Sequence, residues 1–278
     1  MHMAGAMTRF AVIGDFGSEN SSSARGVANR INAWGVDFIV TVGDNNYCTG
    51  AQYAVCVGAY YSPSISLQAF WPALGNHDWD AGVSSYTSYF NYLPGNKRYY
   101  DFVRGNVHFF IIDSDPREPD GVTSDSAQGQ WLHTQLTSAT EPWRVVVFHH
   151  PPYSGGLHGS SLGMRWPFKS WGATAVLTGH DHTYERLEVD GLPYFVDGLG
   201  GRSIYSFIQG PLPETRVRFN ADYGALLVEV STCQMTFRFI TQSGQEIDSV
   251  TQDRCPATPV PTTSPTRAVF VPYVPRTR

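Results

Sequence analysis

Five apolar runs in this chain end in side chains that can hold a metal ion or a phosphate. They are IGDFG with Asp15, VGDNNY with Asp44 and Tyr47, LGNHD with Asn76 and His77, VVFHH with His149 and His150, and LTGHDH with His180 and His182. Brought together, they would offer two carboxylates, an amide, a phenol and several imidazoles. Such a mixture of imidazole nitrogen and carboxylate oxygen suits iron, zinc or manganese rather than calcium or copper(I). Each piece alone has a plainer reading. Gly-Asp after a strand is more often a turn or a helix cap, and a lone Asn76 would be an Asx-turn. His108 and His133, inside a strand and a helix, read as structural. The recurrence of the pattern at five strand ends is what suggests a site.

The elements that must position these residues follow from hydrophobic period. TRFAVIGDFG reads as a buried strand and its exit loop. The helix after it puts Val27, Ile31 and Trp34 on one face, with a serine cap before it and Gly35 after it. VDFIVTVGDNNY is a second buried strand. A strand–helix–strand unit makes the two strands parallel, so the Asp15 and Asp44 loops lie at one sheet edge. Ligand-binding residues in open α/β sheets gather at such edges.

RYYDFVRGNVHFFIIDSD predicts a hairpin turning at Gly105-Asn106, SAQGQWLHTQLTSA a helix, and WRVVVFHH and ATAVLTGHDH two further strands. In GHDH, His180 and His182 stand two apart and point the same way from a strand end. Antiparallel runs follow: YERLEVDGLPYFVDG with an Asp-Gly turn, then YGALLVEVS, CQMTFRFI and QEIDSV. The front half alternates strand and helix, and the back half is mostly antiparallel. The fold class is α/β grading into α+β: two packed mixed β-sheets flanked by helices, a four-layer αββα sandwich.

Composition narrows the function classes. The chain has 278 residues, 42% hydrophobic and 15% charged, enough to bury a substantial core. No apolar run is long enough to span a bilayer. The formal charge of −5 gives no basic surface for nucleic acid, so a protein of this charge that handles phosphate needs local positive charge, which a metal can supply. The four cysteines form no CxxC pair, which argues against a cysteine zinc site and fits two disulfides, with Cys48–Cys56 and Cys233–Cys255 as one pairing. Residues 1–8 read as a cloning scar or disordered N-terminus, 9–254 as one catalytic domain, and 255–278 as a Pro/Thr-rich tail or stalk. Paired cysteines and a Pro/Thr stalk point to an extracytoplasmic or secreted protein.

The ordered blocks GD-x-G, GD-x-x-Y, GNH-[DE], V-x-x-H and GH-x-H resemble those of purple acid phosphatases within the calcineurin-like metallophosphoesterase superfamily, from about Arg9 to Arg186. Carried over position by position, the resemblance implies one metal ion on Asp15, Tyr47 and His182. It implies a second on Asn76, His149 and His180, with Asp44 bridging the two. The family's His-x-Pro spacing selects His149 over His150, which falls behind the ligands. Most metallophosphoesterases begin with GD-x-H, but here that position is Gly17, and Tyr47 fills the vacancy. A phenol titrates near pH 10, and a highly charged cation at its oxygen deprotonates it. The resemblance thus implies Fe(III) plus Fe(II), Zn(II) or Mn(II).

The activity it implies is hydrolysis of a small phosphate monoester by in-line attack of a metal-held hydroxide, with no covalent protein intermediate. A phosphodiesterase or nucleotidase on the same site is the alternative, and a non-catalytic surface-binding module the remote one. His77 is the first candidate for protonating the leaving group. His158 is the second, nine residues after His149, where plant-type members carry a histidine facing substrate; Gly155-Gly156 would make its loop flexible. Asp78 would either orient His77 or cap the next turn. Tyr153, with His77 and His158, is expected to face substrate, and Tyr184 and Arg186 either line the pocket or pack in a strand. VDGLGGRS lacks the strand–helix context of a nucleotide glycine loop. Plant members' extra N-terminal domain has no counterpart in this chain, which suggests a monomer.

Overall fold

A computed structural model describes residues 7–48, 50, 52–208 and 210–254. Thirteen strands form two mixed sheets. In the first, β1 (Thr8–Ile13), β2 (Phe38–Thr41) and β3 (Phe70–Pro72) run parallel. The antiparallel β11 (Gly224–Val230), β12 (Gln234–Thr241) and β13 (Glu246–Asp253) continue it from β1 in the order β13-β12-β11-β1-β2-β3. The crossover from β1 to β2 is helix α1 (Ser22–Trp34). Ser21 caps it by accepting from the Ala24 amide, Gly35 ends it at φ 62°, and Ala24, Val27, Ala28 and Ile31 are its buried face.

The second sheet consists of β4 (Tyr100–Arg104), β5 (Val107–Ile111), β6 (Trp143–Val147), β7 (Ala175–Thr178), β8 (Tyr184–Val189), β9 (Leu192–Asp197) and β10 (Thr215–Phe219), in the order β10-β8-β9-β7-β6-β5-β4. Its centre, β5, β6, β7 and β9, is parallel. The β4–β5 hairpin turns at Gly105-Asn106 and the β8–β9 hairpin at Asp190-Gly191, as the sequence predicts.

Strand alternation explains the layers. Phe109, Val145 and Leu177 point into the core between the sheets, where they join Phe10, Val12 and Val228 of the first sheet. Their neighbours Phe110, Val146 and Val176 point the other way and pack with Leu132 and Leu136 of helix α5 (Ala127–Ser138) and Phe168 of helix α6 (Phe168–Trp171). Aromatic pairs join the sheets: Phe10 meets Phe109 edge-on at 5.0 Å, and Phe195 stacks on Phe237 at 4.4 Å. Both sheets therefore aim the carboxyl ends of their parallel strands at one edge of the sandwich.

Three shorter helices complete the first sheet's side: α2 (Ala59–Ser66), α3 (Asn76–Ala81) and α4 (Val83–Tyr89). Asn76 is the first residue of α3 and so sits at a helix start rather than a strand end. Cys48 and Cys56 are disulfide-bonded, which ties the segment after β2 to the turn of helix before α2. The expected Cys233–Cys255 bridge involves Cys255, which lies outside the described residues, as does the Pro/Thr-rich tail.

Candidate metal centre

The loops after β1, β2, β6 and β7, with the start of α3, bring Asp15, Asp44, Tyr47, Asn76, His149, His180 and His182 together. The Tyr47 hydroxyl is within 3.0 Å of Asp15 Oδ1, 2.8 Å of Asp44 Oδ2 and 3.0 Å of His182 Nε2. On the other side, His149 Nε2 is 3.2 Å from Asn76 Oδ1, 3.2 Å from His180 Nδ1 and 3.3 Å from Asp44 Oδ2. Two sets of donor atoms thus share one carboxylate oxygen.

Backbone geometry makes this convergence possible. Asp15, Asp44 and His180 have φ of 57°, 51° and 69°, a left-handed region that few non-glycine residues occupy. Such conformations persist where the surrounding structure holds them, typically at functional sites. Each carboxylate has one oxygen held by main chain and the other free to face the centre. His180 N–H donates to Asp15 Oδ2 at 3.1 Å, and His77 N–H donates to Asp44 Oδ1 at 2.9 Å. Gly43, at φ 94°, lets the chain pass the His149 ring, which a Cβ there would strike.

The imidazoles are oriented from behind. His149 donates through Nδ1 to the Val42 carbonyl at 2.9 Å, and Ser203 Oγ holds His182 Nδ1 at 2.6 Å, so both rings present Nε2. The sequence reading had His180 and His182 pointing alike from a strand. Both lie in the loop beyond β7, and they enter different halves of the centre, His180 by Nδ1 and His182 by Nε2.

Electrostatics match a cation site. Burial alone would raise Asp44, but the charge and hydrogen bond of His149, and then His77, hold its carboxyl well below the usual carboxylate range. Against its own burial, His149 is pushed up to about 10, mainly by Asp44. Burial, then the charges of Asp15 and Asp44, raise the Tyr47 phenol well above its ordinary value. His180 is pushed down by burial and by the neighbouring imidazoles. The seven donor atoms thus face one another with the protons of Tyr47 and His149 between them, an arrangement that could hold a cation in place of those protons. The donor chemistry fits the metals expected from the sequence.

His150 lies closer to the centre than the sequence implied. Its ring is 4.5 Å from that of His180, and it offers a ring nitrogen within 4.8 Å of those of His149 and His180, close enough that the three could hold a metal ion, but its Nδ1 is paired with Ser114 Oγ at 2.9 Å. His77 is 43% exposed at the rim, with its ring 4.3 Å from that of Tyr47. His158 stacks on His180 at 4.2 Å. Its loop is pinned, contrary to the flexibility expected from Gly155-Gly156. Buried Asp181 accepts from His158 N–H at 2.7 Å, and buried Glu185 accepts from Gly155 N–H at 2.7 Å.

Of the two roles open to Asp78, the structure shows the cap and not the orientation of His77. The buried Asp78 carboxylate accepts from the amides of Gly75 and Asn45 and from the Tyr53 hydroxyl, so it caps α3 and braces the Asp44 loop, while Asp80 stands 3.8 Å from His77 Nδ1. The expectation for Tyr153 needs correction: it does not border the donor atoms. The chain leaving β6 turns down toward the helix layer, and the Tyr153 ring meets Tyr194 and Arg165 at a separate cavity of about 470 Å³. Tyr184 and Arg186 bind Asp248 across the sheets and take the strand-packing role.

Sequence reasoning missed the segment after β9. Ser203 holds His182, Tyr205 stacks on the same ring at 4.0 Å, and the Arg202 guanidinium lies 4.9 Å over the Tyr47 ring. The available signal was the glycines: a Cβ at Gly198 or Gly200 would overlap the backbone of Asp181 or Gly14, so these glycines mark close approach of main chain.

Residues 8–184 match the family model described as calcineurin-like phosphoesterase. The chain belongs to the calcineurin-like phosphoesterase family. Among curated relatives, human tartrate-resistant acid phosphatase type 5 is 26% identical over 288 residues, spanning 86% of this chain and 89% of that protein. Purple acid phosphatase 7 of Arabidopsis thaliana is 26% identical over 228 residues, spanning 69% of each. The fold is also that of purple acid phosphatase PPD1 from yellow lupin seeds, with TM-score 0.75 at 18% identity over 91% of this chain and 57% of that one. No helix among the described residues is long and apolar enough to cross a membrane.

Proposed function

We propose that the chain hydrolyses small phosphate monoesters at two metal ions, one on Asp15, Tyr47 and His182 and the other on Asn76, His149 and His180, with Asp44 between them. The observation that carries this reading is Asp44 Oδ2, 2.8 Å from the Tyr47 hydroxyl and 3.3 Å from His149 Nε2. Metal ions held by these residues would supply neutralisation of phosphoryl charge and activation of a water nucleophile. The anionic oxygens of the first set favour Fe(III), and the nitrogen-rich second set suits Fe(II), Zn(II) or Mn(II).

The remaining work falls to residues of this chain. His77 and His158 stand at the rim, free of the donor sets, and an imidazole is the side chain suited to give a proton to a leaving oxygen near neutrality. His158 is held in place for this by Asp181. The Cys48–Cys56 bridge supports an extracytoplasmic home. The acid phosphatase relatives support monoester over diester chemistry.

The test is phosphate release from an aryl monoester and an aryl diester side by side, from pH 4 to 9, with Asp44→Asn as the blank. Faster monoester turnover at acidic pH, lost in the variant, is the expected result. Preference for the diester near neutral pH would overturn the monoester assignment.

A further inference from the structure

A second cavity adjoins the centre. It has a volume of about 210 Å³ and is walled by Pro116, Val122, Gly163 and Met164, with Ser114, His150 and Ser161 also on its wall. Among the described residues, no carboxylate, lysine or arginine lines it. Val122 and Met164 belong to the apolar packing around α5 and α6, and Met164 is almost wholly buried. His150 connects this cavity to the donor atoms, since its ring lies 5.0 Å from that of His149 and 4.5 Å from that of His180. The Ser114 hydroxyl is engaged with His150 through both the ring nitrogen and the main-chain amide.

A phosphoester cleaved at the donor atoms must place its organic group beside them. We propose that this cavity receives that group, and that the preferred substrates are aryl or short alkyl phosphates; the inference rests on the phosphatase reading above. A sugar or polyol entering here would give up water for walls of proline, valine and methionine, with Ser114 already engaged and the single hydroxyl of Ser161 beside it, so most of its hydroxyls would be buried without partners, which is unfavourable. An aryl group gains from the same burial. The volume suits one or two fused rings and is well below that of a pocket for a drug-sized ligand.

Gly163 provides the test. A Cβ at this position meets nothing within 4 Å, and its backbone is not left-handed, so Gly163→Phe adds bulk to open space instead of forcing it into the core. The metal-loaded protein and this variant are compared on 1-naphthyl phosphate and glycerol 2-phosphate. In parallel, 1-naphthol is titrated by its own fluorescence against both proteins without metal. The expected result is a loss of about tenfold or more in kcat/KM for the naphthyl ester, little change for the glycerol ester, and naphthol binding weakened by a similar factor. Hydrolysis of both esters without discrimination, or naphthol binding that the variant leaves unchanged, overturns the role of the cavity alone. Hydrolysis of neither ester overturns the phosphatase reading, and the leaving-group role with it, even if 1-naphthol binds.

Discussion

The Tyr47 hydroxyl and Asp44 Oδ2 lie 2.8 Å apart, and Asp44 Oδ2 is also the oxygen that faces His149. Tyr47 reaches this place because its own amide donates to the Gly17 carbonyl at 2.6 Å, at the position where resemblance to the superfamily leads one to expect a histidine. Gly17 cannot take that histidine back: a Cβ there would overlap the Asn45 carbonyl oxygen. The phenol and the glycine are therefore one arrangement.

Tyr47→Phe removes an oxygen that touches both carboxylates and His182. Metal affinity and turnover should each fall by roughly tenfold to a hundredfold or more. If the Tyr47 phenolate holds Fe(III), iron-loaded wild type should show a visible phenolate-to-iron charge-transfer band, and iron-loaded Tyr47→Phe should lack it. The double variant Tyr47→Phe with Gly17→His should recover neither and should melt lower, because overpacking at a backbone contact is destabilising. An absorption spectrum of Tyr47→Phe that keeps the band would contradict the role of the phenol.

Metal uptake should release protons. Without metal, burial and two carboxylates keep the Tyr47 phenol protonated, and Asp44 keeps a proton on His149, whose pKa is about 10. Both protons must leave when metal ions take their place, so uptake should weaken as pH falls below neutrality. An indicator dye in weakly buffered solution at pH 7 reads the release directly. Loading with no proton release would show that these two groups are not ligands.

His108 gives a pH dependence away from the centre. Its burial favours the neutral ring, but hydrogen bonds to Asp101 at 2.7 Å and Glu141 at 3.0 Å outweigh this and raise its pKa above the ordinary value. A histidine raised in the folded state contributes stability that is fully present below its unfolded pKa of about 6.5 and is lost as pH rises through the folded value. The Tm gap between wild type and His108→Gln should therefore be widest near pH 5.5 and shrink toward pH 9. A gap that widens with pH would contradict the assignment.

Much of the architecture was legible because it rests on local pattern. The strand–helix–strand unit around α1 follows from periodicity and caps, and it alone puts Asp15 and Asp44 at one edge. The two hairpins follow from their Gly-Asn and Asp-Gly turns. The five blocks could be picked out because each follows a strand-like run; which seven of their residues would hold metal was implied by the family resemblance, and the structure brings those seven side chains together.

What was not legible depends on contacts between distant segments. The cap that Asp78 gives the Gly75 amide is local, but nothing local says that the same carboxylate will also meet the Asn45 amide and brace the Asp44 loop. Gly155-Gly156 looked loose because the carboxylates that pin it, Asp181 and Glu185, lie some 30 residues further on. The segment with Arg202, Ser203 and Tyr205 has no period and no motif, and it reaches the centre only through close main-chain approach at its glycines. Tyr153 was misplaced because a loop's direction after its strand is set by the helix layer, here α6 and its neighbours.

The central claim is a centre for two metal ions joined by Asp44. Elemental analysis of the purified, metal-loaded chain, alongside Asp44→Asn and Asp44→Ala, tests it most directly. Two metal ions per chain in the wild type, falling to one or none in both variants, is the predicted result. A single ion in the wild type, or two ions retained when Asp44 is replaced, would contradict the account.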